Sequence, residues 1–412
     1  MNLGAGQRLL AQADELAQFS EDLPRVTRVF LSAQHRAAGE KILGWMRGAG
    51  MSAAFDALGN AVGRYEGETP GAPALLTGSH MDSVRNAGRY DGLFGILCPI
   101  ECVRRLDAAG KRLPFAIEVV AFGDEEGVRF GATLLGSHAL SGTFDPAWLN
   151  KKDAAGTTMR EAIVQFGGDP DAIPRLKRDS AKTLAFVEVH IEQGPVLLSE
   201  GRPLGVVTAI AGGSRYTVDV TGLAGHAGTV PMGMRRDALA GAAEMVLAAE
   251  KTAAAMPGTV ATVGRIEVRP GAINVIPGDA RFTLDARAGE DGLRHKLEAA
   301  LLAEFGQVAA HRNLKVECTR MLDLKAALCA PWLMGQFAAS LARHGLEDRR
   351  LPSGAGHDAM AIAPVADIAM LFVRCGNGGI SHHPDETMTA ADAALATDVL
   401  YDFILHFEAK HP

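Results

Sequence analysis

The 412-residue chain carries five cysteines, Cys98, Cys102, Cys318, Cys329 and Cys375, and no CxxC pair. An odd count without paired spacing argues against a disulfide framework or a zinc ribbon, and suits free thiols in a reducing compartment. Basic charge is also scarce. Lys and Arg number 41 against 48 Asp and Glu, a formal net charge of −7, so the basic field of a general nucleic-acid binder is missing. No run approaches the roughly 20 apolar residues of a membrane span. The stretch MNLGAGQRLLAQADELAQFS lacks a basic segment followed by an apolar core, so it reads as an amphipathic helix and not as a signal peptide. Repeats and low-complexity segments are absent. These absences together predict a cytoplasmic protein with no nucleic-acid or membrane partner.

What is present is ordinary globular material, 48% hydrophobic and 22% charged, in a chain too long for a single core. The first half alternates helical and strand patterns. QHRAAGEKILGWMRG (34–48) reads as a helix, PALLTGSH (73–80) as a buried strand, and LFGILCPIECVRRLDAAG (93–110) as a helix closed by Gly110. FAIEVVAFGDEEG (115–127) and TLAFVEVHIEQG (183–194) are further strands that end in acids. From about residue 213 the order becomes βαββαβ. Its two middle strands, TVATVGRIEVRPG and AINVIPGDARFTLDAR, join at a Pro270-Gly271 turn, which predicts a four-stranded sheet with two helices. A helix over 330–345 and a buried strand in VADIAMLFVRC then resume the first pattern. The expected fold is α/β: a mixed-sheet domain of residues 1–212 and 328–412 with helices on both faces, interrupted by a smaller βαββαβ, ferredoxin-like domain over 213–327.

Four strand ends of the larger domain carry imidazole and carboxylate groups. They are His80, Asp82 and Asp91; Asp124, Glu125 and Glu126; Glu188, His190 and Glu192; and His382, His383, Asp385 and Glu386. Taken singly, each has a plain reading as a capped turn, a solvated edge or a surface pair. Four together, at the strand ends where α/β sheets gather ligands, point to a metal site. Imidazole with carboxylate and no thiolate suits zinc, manganese, cobalt or nickel. Two ions need a bridging group, for which a carboxylate serves, and a nearby glutamate outside the ligand set can accept a proton from water.

A second set lies in and near the smaller domain. His226 sits in the Gly-rich GLAGHAGTVPM, Asn274 and Arg287 in GAINVIPGDARFTLDAR, and Arg215 opens the domain. Arginine pairs bidentately with carboxylates, although a surface salt bridge is its plain reading. PSGAGHDA (352–359), with Gly356 and His357, lacks the GKS or GKT of a phosphate loop and, on the pattern, the helix that follows one.

In this order, GSHMDSV…GRYDG, GDEEGVRFGATLLGS, VEVHIEQGPVL, GLAGHAGTVPM, GAINVIPG, SGAGHDA and ISHHPDE resemble the dinuclear-metal amidohydrolases of the aminoacylase and carboxypeptidase superfamily. The resemblance spans almost the whole chain and is strongest to the hydantoinase/carbamoylase branch: N-carbamoyl-L-amino acid hydrolases, allantoate amidohydrolases and β-ureidopropionases. It implies two divalent ions per subunit, zinc foremost. Asp91 would bridge them, with His80 and His190 completing one site and Glu126 and His382 the other. Spacing leaves His382 and His383 equivalent; His382 is chosen because it follows Ile-Ser in the motif. Glu125 is the implied general base, and Asp82 the group that holds the second ring nitrogen of His80. Superfamily members often have an acid where His190 stands, a departure that points away from peptidases.

The resemblance further implies that the smaller domain is a lid and a dimerisation element, with His226 reaching a neighbouring subunit's site. Arg215, Asn274, Arg287, Gln193, Gly356 and His357 would line a pocket for a small ureido substrate bearing a carboxylate. The expected reaction is hydrolysis of an N-carbamoyl-L-amino acid to the amino acid, carbon dioxide and ammonia. Allantoate is the main alternative. β-Ureidopropionate hydrolysis, dipeptidase or aminopeptidase activity and a non-catalytic small-molecule binder are the others.

Overall fold

The strand Ala74–His80 buries all seven of its residues. A strand apolar on both faces needs cover on both faces and neighbours on both edges, and it has them. It pairs in parallel with Ala116–Phe122 on one side and Thr183–Ile191 on the other. The computed structural model describes residues 3–410 and divides into two compact units. Within those residues, the first comprises the chain up to Thr208, Cys329–Leu351 and the chain from Ala355 onward; the second comprises Ala209–Leu328 and Pro352–Gly354.

In the first unit, seven strands follow in the order Ser52–Phe55, Ala61–Tyr65, Ala116–Phe122, Ala74–His80, Thr183–Ile191, Ile368–Val373 and Leu204–Ile210. The four central strands are parallel and the flanking pairs antiparallel, which makes the sheet mixed. Parallel strands run the same way, so their carboxyl ends, and the polar loops leaving them, share one edge. Helix Leu93–Ala108 begins immediately after Asp91. Its first flanking residue, Gly92, has φ +66°, and any side chain there would collide with the main-chain oxygen and ring of His80. Glycine is what lets this helix start so close to the first strand end. No helix among the described residues is long and apolar enough to cross a membrane.

The second unit has an antiparallel sheet ordered Ile266–Arg269, Asp279–Ala288, Gly212–Thr221 and Lys315–Leu324. Burial alternates along Asp279–Ala288. Its inward set packs with Tyr216, Val218 and Val220 against helix residues such as Met245, Leu297, Leu301 and Phe305, as in a sheet covered on one face. The expectation of a four-stranded sheet needs correction, for the sheet has five strands. The segment TVATVGRIEVRPG breaks into Thr259–Thr262 and Ile266–Arg269, which pair with the two ends of Asp279–Ala288. At the break, Thr283 N donates to Arg265 O (3.1 Å). Nor do the two middle strands meet in a simple turn at Pro270-Gly271. The chain first forms the short strand Val275–Ile276, which pairs with Gly225–His226 away from the main sheet.

Candidate metal centre and active site

Asp91 is the point on which the strand ends of the first unit converge. Its Oδ1 lies 3.7 Å from His80 Nε2 and 3.4 Å from His190 Nε2, and its Oδ2 lies 3.1 Å from His382 Nε2. His382 Nε2 is also 3.5 Å from Glu126 Oε1. Two clusters of metal-ligating atoms result, His80–Asp91–His190 and Asp91–Glu126–His382, each with its atoms within 4.8 Å of one another. They share Asp91, so one carboxylate presents an oxygen to each cluster, the geometry of a bridging ligand. Glu125 joins His80 and Glu126 in a third such group.

The imidazoles are aimed by their second nitrogens. His190 Nδ1 lies 2.8 Å from Ile191 O, and His80 Nδ1 lies 3.1 Å from Asp82 O. A carbonyl can only accept, so each ring presents an N–H on Nδ1 there and turns its Nε2 toward Asp91. This revises the role expected of Asp82. Its main-chain oxygen, and not its carboxylate, holds His80; the carboxylate Oδ1 stands off at 3.7 Å. That carboxylate instead accepts the main-chain N–H groups of Glu125 (3.1 Å) and Glu126 (3.3 Å). The acid that follows His80 by two residues thus shapes the turn that carries Glu125 and Glu126.

The donor set suits a cation. His190 Nε2 and Glu126 Oε1 are buried without hydrogen-bond partners, and such orphans cost about 1–3 kcal/mol each unless something binds them. Burial alone would raise the Asp91 carboxyl, but contacts with His382 and His80 hold it well below the usual carboxylate range. Burial lowers His190 to about 4, which keeps its lone pair free. Glu125 moves the other way. Burial and the acids Glu126, Asp358 and Asp82 push it well above its ordinary value, against the pull of His80.

The spacing-equivalent histidines separate here. His382 faces Asp91 and Glu126, whereas His383 pairs with Asp385 at 3.7 Å. His382 and Gln193 both have φ +55°, a conformation that strains non-glycine residues and gathers at functional sites. Gln193 Nε2 donates to Asp91 Oδ1 (3.0 Å) and lies 3.3 Å from His382 Nε2. The buried His357 ring stands edge-on to His190 with centroids 4.5 Å apart. Gly356 lies beside Glu125, whose Oε1 would be in ordinary contact, 3.5 Å, with a β-carbon there. A short helix, Asp358–Ile362, does follow the Gly-rich loop, contrary to the pattern-based expectation.

Two acids noted at the strand ends act in ways their spacing did not indicate. Glu386 accepts the main-chain N–H groups of Tyr90 (2.8 Å) and Asp91 (3.2 Å) and the hydroxyl of Ser381 (2.9 Å), tying Asp91 to the His382 loop. Glu188 accepts from Ser79 Oγ (2.7 Å) and Ala359 N (3.2 Å), joining two strand ends to the Gly-rich loop.

Residues 76–406 match the model of peptidase family M20/M25/M40. The chain belongs to this family. Among similar proteins, an N-carbamoyl-L-amino acid amidohydrolase of Geobacillus stearothermophilus is 39% identical, covering 96% of this chain and 97% of its own length. An allantoate deiminase of Arabidopsis thaliana is also 39% identical, covering 96% of this chain and 81% of its own. Among solved structures, a hydantoinase/carbamoylase-family amidase of Burkholderia multivorans superposes with a TM-score of 0.91 at 34% identity, over 97% of each chain. The M20 family is metal-dependent, in keeping with the paired clusters about Asp91.

The remaining site residues expected of an M20 member lie in the second unit, in two pairs. His226 is exposed and stands across from Val275, next to Asn274, whose main-chain oxygen accepts from Ala227 N (3.0 Å). Arg215 and Arg287 converge on one acid. Asp285 Oδ2 takes Arg215 Nε (2.9 Å), and its two oxygens take Arg287 Nε (2.9 Å) and Nη2 (3.0 Å). Both arginines line a groove with Val260, Leu284 and Met321.

Proposed function

We propose that this chain hydrolyses the ureido C–N bond of an N-carbamoyl-L-amino acid, giving the L-amino acid, carbon dioxide and ammonia. The observation that carries the reading is Asp91 shared between two imidazole–carboxylate clusters, with a half-buried Glu125 beside them. Allantoate is the second reading. It also sets a carboxylate beside a ureido group, and relatives named for the two activities are equally similar to the chain at 39% identity.

His80 and His190 on one side, Glu126 and His382 on the other, and Asp91 between them would hold two divalent ions, zinc first, with manganese, cobalt and nickel as alternatives. Bound there, such ions supply Lewis acidity and a lowered pKa for water. Glu125 takes a proton from the attacking water as its oxygen bonds to the carbamoyl carbon. It returns that proton to the nitrogen that leaves as the C–N bond breaks. The carbamate then decomposes to carbon dioxide and ammonia. Asp82 keeps Glu125 in reach by holding its main-chain N–H. His226 and Asn274 stabilise the developing oxyanion. Arg287 and Arg215 clamp the substrate carboxylate, and Gln193, Gly356 and His357 line its pocket.

The second unit acts in this reading as lid and homodimer contact. Support comes from its exposed apolar side chains, which include Leu223, Met232, Met234, Leu247, Ile273 and Leu328. The five free cysteines support a cytoplasmic setting. The deciding experiment assays metal-loaded protein in parallel on N-carbamoyl-L-amino acids, allantoate, β-ureidopropionate and dipeptides. Turnover of the carbamoyl amino acids is expected. Turnover of dipeptides alone would sink the proposal, and no turnover with any metal would point to a binding protein.

A further inference from the structure

Behind the metal centre lies a buried guanidinium with no carboxylate among its hydrogen-bond partners. Arg28 is 0% exposed. Its Nε donates to Phe19 O (3.1 Å), its Nη1 to Met81 O (3.0 Å) and its Nη2 to Leu16 O. Burying a charge this way is expensive, and every partner is a neutral carbonyl. Leu16 O lies in the last turn of helix Leu3–Ala17, where it also accepts Phe19 N (3.1 Å), and Phe19 O lies two residues beyond the helix end. The third belongs to Met81, the residue between His80 and Asp82.

Met81 is held from both sides. Met81 N donates to Phe122 O (2.8 Å), at the end of the strand leading to Glu125, and Met81 O accepts from Arg28. The backbone of Arg28 is laid along the same loop. Its N–H donates to Ser83 Oγ (3.0 Å), and Ser83 N donates back to Arg28 O (3.0 Å). One residue earlier, Asn86 N donates to Thr27 Oγ1 (2.9 Å), and Ala87 N donates to Val26 O (2.7 Å). Residues 26–28 therefore form a rail for the loop that begins at His80 and ends at Asp91.

We infer that Arg28 is a positioning residue of the metal centre. By fixing the Met81 carbonyl it sets the Asp82 main chain, and the Asp82 oxygen aims His80 while the Asp82 carboxylate holds the Glu125–Glu126 turn. Its fixed positive charge also attracts Asp82 and offsets the acids crowded behind the ligands. A plain helix cap would need the Leu16 and Phe19 contacts and nothing at Met81. The inference rests on the metal reading of the site.

The test titrates full-length protein with Co2+ and with Zn2+, following the dissociation constant, the Co2+ d–d absorption and Tm. Arg28→Lys keeps the charge and loses the fork. It is expected to weaken metal binding by about 10–100-fold, as is usual when a partner that orients a ligand is lost, and to alter the Co2+ spectrum. Ser83→Ala loosens the same junction and should shift both readouts less. Thr27→Val, which cuts the rail away from Met81, should lower Tm and leave both unchanged. Arg28→Lys that binds Co2+ with unaltered affinity and spectrum, whatever its Tm, overturns the inference. Should Arg28→Lys fail to fold, unaltered affinity and spectrum in Ser83→Ala overturn it. Unmodified protein that binds neither ion removes the metal reading, and the inference with it.

Discussion

The Asp82 carboxylate accepts the main-chain N–H of Glu125 at 3.1 Å across 43 residues of sequence. An acid two residues after His80 thus governs the position of Glu125, the proposed general base. Asp82→Asn keeps the shape but presents an N–H to one of the two N–H groups it must accept. It should lower kcat about 10–100-fold with little change in KM. Steady-state kinetics with metal analysis checks this, and an unaltered kcat refutes it.

Glu125 is assigned to proton transfer and lies outside the two clusters that share Asp91. Glu125→Gln should therefore retain its metal and lose turnover by about 10²–10⁴-fold, the usual worth of a positioned base. High turnover in this variant ends the assignment.

His382 and His383 are adjacent in sequence, but only His382 faces Asp91. His382→Ala should lose one of the two ions by elemental analysis, and His383→Ala should keep both. Chelation should abolish activity in the unmodified protein, and added divalent metal should restore it. The opposite stoichiometry in the two variants would transfer the role to His383.

His35 is fully buried, and burial, helped by Arg28, Arg129 and Arg36, pushes it down to about 3. The folded chain keeps this ring neutral while the unfolded chain protonates it below pH 6.5. Between pH 6.5 and 3 the unfolded state binds the extra proton, so stability is complete above this window and falls as pH drops through it. The slope is about 1.4 kcal/mol per pH unit at most. His35→Leu should be less stable at neutral pH, yet lose less between pH 7.5 and 5.5 in urea denaturation. Equal losses would show that His35 does not carry the effect.

Arg287 spans Asp285 and the Gly354 main-chain oxygen, the latter at 2.8 Å, in the second unit. As a carboxylate clamp it needs its planar fork. Arg287→Lys should raise KM about 10–100-fold, the worth of a charged hydrogen bond, with a smaller effect on kcat. An unchanged KM would remove Arg287 from the substrate pocket.

Much of the architecture was legible in local pattern. Ala74–His80 reads as a buried strand and Ile368–Val373 as a continuous apolar run, and both are buried parallel strands. The alternation in ARFTLDAR likewise marks a sheet with one covered face. The broken strand at residues 263–265 was not legible, because pairing with both ends of one neighbour leaves no periodic trace.

The sequence by itself determined the chemistry available: histidines and carboxylates without thiolates, placed at strand ends, because side-chain type and strand periodicity are local properties. Tertiary structure alone decided the roles. It set His382 against Asp91 and His383 against Asp385, gave the hold on His80 to a main-chain oxygen, and brought Glu386 across 295 residues to the N–H of Asp91. It also buried Arg28 behind Met81. Main-chain groups are the same at every residue, so which of them meets a given side chain depends on how the chain packs.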